Sequence, residues 1–168
     1  EKYAKDKGKN PLDIIKNEKQ KLILNTQYSL ALRVDEVVKL KGINFTQCFH
    51  PETKTYYYQV RVNGKGNKYR ILPVHDETIN KIKIVLGNDI IGKNEYLFKG
   101  QFKEYYSSRS VQMVMKRAMS EAEIHKKGCT HLLRHSMATH HIQSGRSLRF
   151  VQELLGHSSS KTTERYTH

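Results

Sequence analysis

Histidine, arginine and tyrosine side chains gather in the last part of the sequence. His131 and Arg134 are three residues apart, so they share one face of a helix. His157 follows a glycine, and Tyr166 comes shortly after it. Arginine offers a planar, permanently charged fork for phosphate oxygens, histidine can transfer a proton near neutral pH, and tyrosine can form a covalent intermediate. This combination of side chains favours attack on a phosphodiester.

Short helices are predicted to carry these groups toward one cleft. Thr130 is a suitable N-cap for a first helix and Ser147 for a second, and a glycine follows the apolar stripe of each. Ser158 or Ser159 would begin a third helical turn, which carries Tyr166.

The charge of the chain indicates an anionic partner. Lysine and arginine together number 30 and the acidic residues 16, which gives a formal net charge of +14. An imbalance of this size is typical of proteins that bind nucleic acid.

Nothing in the sequence predicts a membrane or an oxidising compartment. We find no apolar run that is long enough to cross a bilayer and no signal peptide at this N-terminus. Cys48 and Cys129 have neither disulfide-framework nor metal-site spacing, and we interpret them as core thiols of a cytoplasmic protein.

A strand period appears in the middle of the chain. Over 56–62 the residues Tyr56, Tyr58, Val60 and Val62 occupy alternate positions, and the turn 63–67 is rich in residues that tolerate a positive φ. A second strand is predicted from Tyr69 to Leu72, with Pro73 ending it. The sequence therefore predicts a small antiparallel sheet with lysine at its hairpin tip.

The remaining segments are predicted to be helical. Asp76 is expected to cap a helix that Gly87 ends, and Ser107 or Ser108 should begin the next helix. The fold class predicted is α+β, mainly helical, with the small sheet carrying the Lys65 hairpin.

One domain is expected over residues 11–168. Residues 1–10 are highly charged and begin abruptly, which indicates a linker or an artificial edge of the chain.

Three runs near the C-terminus resemble a known family in both order and spacing. They are His-Leu-Leu-Arg-His-Ser-Met-Ala-Thr-His at 131–140, Leu-Leu-Gly-His-Ser-Ser at 154–159 and Thr-Thr-Glu-Arg-Tyr-Thr-His at 162–168. Together they resemble the C-terminal signature of tyrosine recombinases, the phage-integrase family. The resemblance implies the catalytic-domain fold of that family.

The run Ala-Leu-Arg-Val-Asp-Glu-Val at 31–37 resembles the first arginine motif of the family, Gly-Leu-Arg-x-x-Glu-Leu. It implies a catalytic role for Arg33, with Glu36 as its salt-bridge or hydrogen-bond partner. The chain departs from the motif at Ala31, where glycine is usual, and at Val37. Ala31 is expected to alter the turn that aims the arginine.

The run Gly-Lys-Gly-Asn-Lys-x-Arg-x-x-Pro at 64–73 resembles the hairpin from which a family lysine enters the cleft. The match places the catalytic lysine at Lys65, and Lys68 is the alternative.

The mechanism implied by the resemblance begins with Tyr166, which attacks a DNA phosphodiester, forms a 3′-phosphotyrosine link and frees a 5′-hydroxyl. Arg33 and Arg134 would clamp the nonbridging oxygens, and Lys65 would protonate the leaving 5′-oxygen. His131 would handle the proton at the nucleophile, and His157 would support the phosphate or the tyrosine.

This chemistry requires no metal and no nucleotide cofactor. His131 and His135 have a spacing that can bind zinc on a helix, but no glutamate follows the first histidine and no third ligand is evident. We therefore predict no metal site.

The predicted partner is double-stranded DNA, in a homotetramer for the full-length protein. The family's N-terminal DNA-clamping domain and the tail beyond the tyrosine are expected to be absent here, so this fragment should be monomeric. Residues from about Ser158 onward should then be less ordered, with Tyr166 away from Arg134 without DNA.

Two alternatives to a site-specific recombinase or integrase are kept open. A type IB topoisomerase shares the chemistry but relaxes supercoils, and a non-catalytic accessory domain would only bind DNA.

Overall fold

A computed structural model describes residues 11–157 of the chain. The expected linker at 1–10 and the expected helical turn with Tyr166 lie outside the described residues. The described residues form seven helices and one three-stranded sheet, so the mainly helical α+β prediction is confirmed. In chain order the elements are α1 Pro11–Ile14, α2 Glu18–Ser29, α3 Val34–Val38, β1 Phe45–His50, β2 Thr55–Asn63, β3 Tyr69–Val74, α4 Asp76–Leu86, α5 Ser108–Glu121, α6 His131–Gln143 and α7 Leu148–Leu155.

Helix α2 lies at the centre of the helical part. Asn17 caps its first turn by accepting the Gln20 N–H at 3.0 Å. Successive residues from Leu22 to Leu24 are almost completely buried, which is typical of a helix packed on several sides. Helix α2 contacts α4, α5 and α6, so it sets the positions of the helices around it.

A Schellman motif ends α2 just before the first arginine motif. The Ala31 N–H donates to the Tyr28 carbonyl at 3.1 Å and the Leu32 N–H donates to the Gln27 carbonyl at 2.9 Å. Ala31 itself has φ 50°, the left-handed conformation that glycine adopts without strain. The turn is therefore formed with alanine at the position where the family motif has glycine.

The sheet is antiparallel in the order β1-β2-β3 and packs one face against the helices. Val60 on β2 pairs with Phe45 on β1 and with Leu72 on β3, and all three are buried. Val62 and Val74 extend the same buried face. This packing fixes the base of the hairpin that joins β2 to β3.

One strand prediction was wrong, and one strand was not predicted. Pro73 does not end β3, which continues to Val74 and pairs Pro73 with Gln59. Strand β3 borders only β2 among the described strands, so the missing N–H of Pro73 leaves no ladder bond unmade. Strand β1 was not predicted, because its sequence lacks clean alternation and only Phe45 is buried.

The predicted helix cap is correct at Ser147, and of the two serines left open by the sequence Ser107 is the cap. Their hydroxyl oxygens accept the N–H groups of Phe150 at 3.1 Å and Ser110 at 3.0 Å, respectively. Thr130 occupies the N-cap position of α6, but its hydroxyl makes no capping bond. Its backbone is already helical, with φ −68° and ψ −23°, whereas a capping side chain needs an extended backbone.

The prediction for α4 was wrong by one residue. Asp76 is the first helical residue, and His75 takes the N-cap position without a side-chain bond. The acidic side chain still lies where the helix dipole favours a negative charge. Gly87 ends the helix as predicted.

The cysteine interpretation also needs correction. Cys48 and Cys129 are free thiols of intermediate exposure and do not belong to the fully buried core. Between residues 11 and 157, no helix has the length and apolar character to cross a membrane.

The turn at Ala31 leads to a prediction about stability. Relief of left-handed strain, about 1–2 kcal/mol, should offset the backbone entropy of glycine and the lost methyl group in Ala31→Gly. We expect Ala31→Gly to lie within about 1 kcal/mol of the wild type in urea unfolding. Ala31→Val should lose about 3 kcal/mol, because a branched side chain is strained at this φ and overfills a buried site. Equal losses in the two variants would contradict the account of this turn.

Candidate active site

A cleft beside the β2–β3 hairpin brings together residues from three parts of the chain. Its basic lining residues are Arg33, Lys65, Lys68, Arg70 and His157. Arg33 comes from the turn before α3, the next three from the hairpin, and His157 from the end of α7. Three predicted site residues therefore meet at one surface.

Arg33 lies at the N-terminus of α3, directly after the Schellman motif. Its backbone N–H donates to Oε2 of Glu36 at 2.8 Å, and its Nη1 donates to Oε1 of the same carboxylate at 3.2 Å. The Arg33 side chain is 41% exposed, so the guanidinium is held at one end and open to the cleft. The predicted partnership of Glu36 with this region is confirmed.

Glu36 is a buried carboxylate shared by several cations. Its side chain is only 5% exposed, and Arg70 donates to its two oxygens at 2.8 and 2.9 Å. Nη1 of Arg134 lies 3.9 Å from Oε2. Burial raises the pKa of Glu36, but the hydrogen bonds and positive charge of Arg70, with Arg33 and Arg134, lower it by more. The group is therefore an anion at neutral pH.

Arg134 is buried beneath the cleft on the first turns of α6. Its Nη1 donates to the Ala31 carbonyl at 2.6 Å, and its Nη2 donates to the Leu155 carbonyl at 2.5 Å. The Leu155 carbonyl is in the last turn of α7, where a helix leaves carbonyl groups without an intrahelical donor, and the Ala31 carbonyl is in the turn that ends α2. The two bonds fix the plane of the guanidinium.

His157 follows Gly156, which ends α7 with φ 64°. Nε2 of His157 lies 3.4 Å from Nη2 of Arg134. Arginine can only donate, so Nε2 is the acceptor and the neutral imidazole carries its proton on Nδ1. Burial lowers the pKa of His157 to about 4, with the positive charges of Arg134, Arg33 and Arg70 adding to the shift.

Lys65 and Lys68 are both exposed and both line the cleft. The Gly64 N–H donates to the Lys68 carbonyl at 2.7 Å and closes the hairpin. Gly66 and Asn67 have φ of 73° and 56°, as the turn composition predicted. Lys65 remains the predicted catalytic lysine, with Lys68 as the alternative.

Of the other two predicted residues, the structure does not bring His131 into this group and does not describe Tyr166. His131 is exposed on the first turn of α6, and it is not among the described residues that line the cleft. Tyr166 lies outside the described residues. Their catalytic roles remain predictions.

Arg70 is a site residue that the sequence reasoning did not single out. It was visible in the hairpin motif, and it shares a strand face with buried Leu72 and Val74. A charged residue on the apolar face of a strand needs a buried partner. That signal could have identified it.

Solved structures with a similar fold include catalytic domains of tyrosine recombinases. A crystal structure of the XerH site-specific recombinase bound to its difH substrate has a TM-score of 0.76 and 27% identity, covering 94% of this chain and 46% of that one. The XerA recombinase has a TM-score of 0.73 and 26% identity, covering 98% and 57%.

The chain belongs to the phage integrase family, whose model matches residues 7–168. It is 30% identical over 170 residues to the tyrosine recombinase XerC of Lacticaseibacillus casei (strain BL23), covering 96% of this chain and 52% of that protein. It is 35% identical over 163 residues to XerC of Psychromonas ingrahamii (strain DSM 17664 / CCUG 51855 / 37), covering 95% and 50%. The chain thus spans about half the length of the curated relatives it matches.

The pKa of His157 predicts how stability depends on pH. Because its pKa is about 4 in the folded chain and near 6.5 in an unfolded one, the unfolded state binds more protons between these values. The free energy of unfolding should therefore rise with pH across this window, and the His157 contribution should be lost as the pH falls toward 4.

Urea unfolding at several pH values would measure this effect in the wild type and in His157→Gln. The variant should show a smaller rise, while Glu36 and His141, whose pKa values are also lowered, continue to contribute in both proteins. His50→Gln, at an exposed position on β1, is the matched control. Identical slopes in the wild type and His157→Gln would contradict the assignment.

Proposed function

We propose that this chain is the catalytic domain of a tyrosine-type site-specific recombinase, which cleaves and rejoins double-stranded DNA through a 3′-phosphotyrosine intermediate. One observation carries the proposal. A surface cleft combines the open guanidinium of Arg33, the lysine hairpin and neutral His157, with buried Arg134 in contact with that histidine. This is a site for an anionic group that gains charge during reaction.

The charge balance at the cleft favours a phosphodiester. Arg33, Arg70 and Arg134 carry three positive charges, and Glu36 supplies one negative charge among them. The uncompensated positive charge suits the nonbridging oxygens of a bound phosphate. In this proposal Arg33 and Arg134 hold those oxygens, and His157 donates its Nδ1–H to the phosphate or to the nucleophile.

The covalent step is balanced by two proton transfers. The phenolic oxygen of Tyr166 attacks phosphorus and loses its proton to His131, while the bond from phosphorus to the 5′-oxygen breaks. Lys65 gives a proton to the leaving 5′-oxygen. A 5′-hydroxyl from a second strand then reverses the step, so the phosphodiester is conserved without a cofactor.

Double-stranded DNA is the partner that the electrostatics support. The net charge of +14 gives a strong sequence-independent attraction to a phosphate backbone. The XerH structure with its bound difH substrate, at 27% identity, supports the same partner. For the full-length protein we also propose the homotetramer that the family resemblance implies.

The nucleophile provides the test of this function. A suicide DNA substrate with a nick beside the scissile phosphate should trap a covalent protein–DNA adduct, which gel electrophoresis under denaturing conditions detects. The wild type should form the adduct and Tyr166→Phe should not, because only the hydroxyl is removed. Tyr56→Phe, at an exposed tyrosine on β2, is the matched control and should form it.

Another outcome of this experiment would assign the role of nucleophile to a different tyrosine. Tyr69 lines the cleft and is 57% exposed, so it is the competing nucleophile among the described residues. An adduct that persists in Tyr166→Phe and disappears in Tyr69→Phe would contradict the proposed role of Tyr166.

A further inference from the structure

Arg70 is a nearly buried arginine at the base of the hairpin. It lies on β3 opposite Val62 of β2, and its side chain is 12% exposed. Neighbouring positions on the same strand face, Leu72 and Val74, belong to the hydrophobic core. Placing a guanidinium here costs desolvation free energy, so its partners must compensate for it.

The guanidinium of Arg70 bonds to two separate parts of the chain. Its Nη1 and Nη2 donate to the two oxygens of Glu36 at 2.8 and 2.9 Å, in the bidentate geometry that arginine alone provides. Its Nε donates to the Leu154 carbonyl in the last turn of α7 at 2.9 Å. All three nitrogens of the head group are therefore engaged.

Gly156 makes room for this arrangement. A Cβ atom at this position would lie 3.1 Å from Cδ and 3.4 Å from Nε of Arg70. The residue is also in the left-handed conformation, with φ 64°. The glycine thus lets the end of α7 lie against the Arg70 stem, directly before His157.

The partners of Arg70 are connected to the functional groups of the cleft by hydrogen bonds or by the chain itself. Glu36 holds Arg33 through its backbone and its guanidinium. Leu154 lies three residues before His157, and the strand of Arg70 continues directly from the lysine hairpin. Arg70 is thus bonded, directly or through one residue, to each segment that lines the cleft.

We propose that Arg70 is a positioning residue, which holds Arg33, the lysine hairpin and His157 in one arrangement around the phosphate. The proposal rests on the proposed function for its catalytic consequence. Arg70 acts through Glu36 and the end of α7, and it does not need to touch the DNA. Lysine cannot replace it, because a single ammonium cannot make the fork to Glu36 and the bond to Leu154 together.

The first arm of the test measures single-turnover cleavage of the suicide substrate by Arg70→Lys and Arg70→Ala. Both should slow cleavage by about 10²-fold, the effect of a misplacement of about 1 Å. Affinity for the uncleaved DNA should change far less, because the other basic residues remain. Arg70→Lys is decisive, since it keeps the charge and removes the fork.

Val62→Ala is the matched control for stability. Val62 is buried and pairs directly with Arg70 across the two strands, but it has no polar contact with the cleft. Truncating it should lower the melting temperature while cleavage well below that temperature stays near the wild-type rate. If its cleavage falls as far as that of Arg70→Lys, Arg70 is only a stabilising residue and the proposal is wrong.

The second arm requires no activity. An NMR titration of the His157 imidazole should show a midpoint of about 4 in the wild type and in Val62→Ala. Arg70→Lys should raise this midpoint, because the released end of α7 exposes the ring to water. If the wild type forms no covalent adduct, the proposed function is wrong, but the His157 titration still tests the positioning role of Arg70. An unchanged midpoint in both Arg70 variants would overturn the positioning role.

Discussion

The site depends on one buried carboxylate. Glu36 is the anion among the three arginines, and without it their positive charges would lie close together with little water to screen them. Its lowered pKa means that it keeps this charge at neutral pH. A single anion among three cations stabilises the cluster and still leaves a net positive charge for a phosphate.

Helix ends provide the second constraint. Arg134 donates to the Ala31 and Leu155 carbonyls, and Arg70 donates to the Leu154 carbonyl. Carbonyls at a helix C-terminus carry a partial negative charge and have no intrahelical donor, so arginines satisfy them well. Ala31 and Gly156 adopt left-handed conformations at these ends and turn the chain into the site. The ends of α2 and α7 are thus part of the structure that holds the cleft residues in place.

Much of this arrangement could be predicted from the sequence. Serine caps and glycine stops are local signals, so Ser147 and Gly156 were placed correctly and the cap of α5 was narrowed to Ser107 or Ser108. The motif around Arg33 identified Glu36 as its partner, because that contact spans only three residues.

The contacts that were not predicted join segments far apart in the chain. Arg70 and Glu36 are 34 positions apart, and Arg70 and Leu154 are 84 apart. Local periodicity carries no information about such pairs. Pro73 was misread for a related reason: a proline ends a strand or sits within it according to which neighbour the strand has, and that is set by tertiary structure.

The central claim is that the carboxylate of Glu36 and the fork of Arg70 stabilise each other and thereby the site. A double-mutant cycle with Glu36→Gln, Arg70→Ala and the double variant, followed by urea unfolding, measures their coupling free energy. Each single change should cost about 3 kcal/mol, because it takes the bidentate partner away from a buried charge that the remaining contacts satisfy only in part. The double variant should cost about 2 kcal/mol less than the sum of the two. Additive losses would show that the two groups do not stabilise each other, and they would contradict the account.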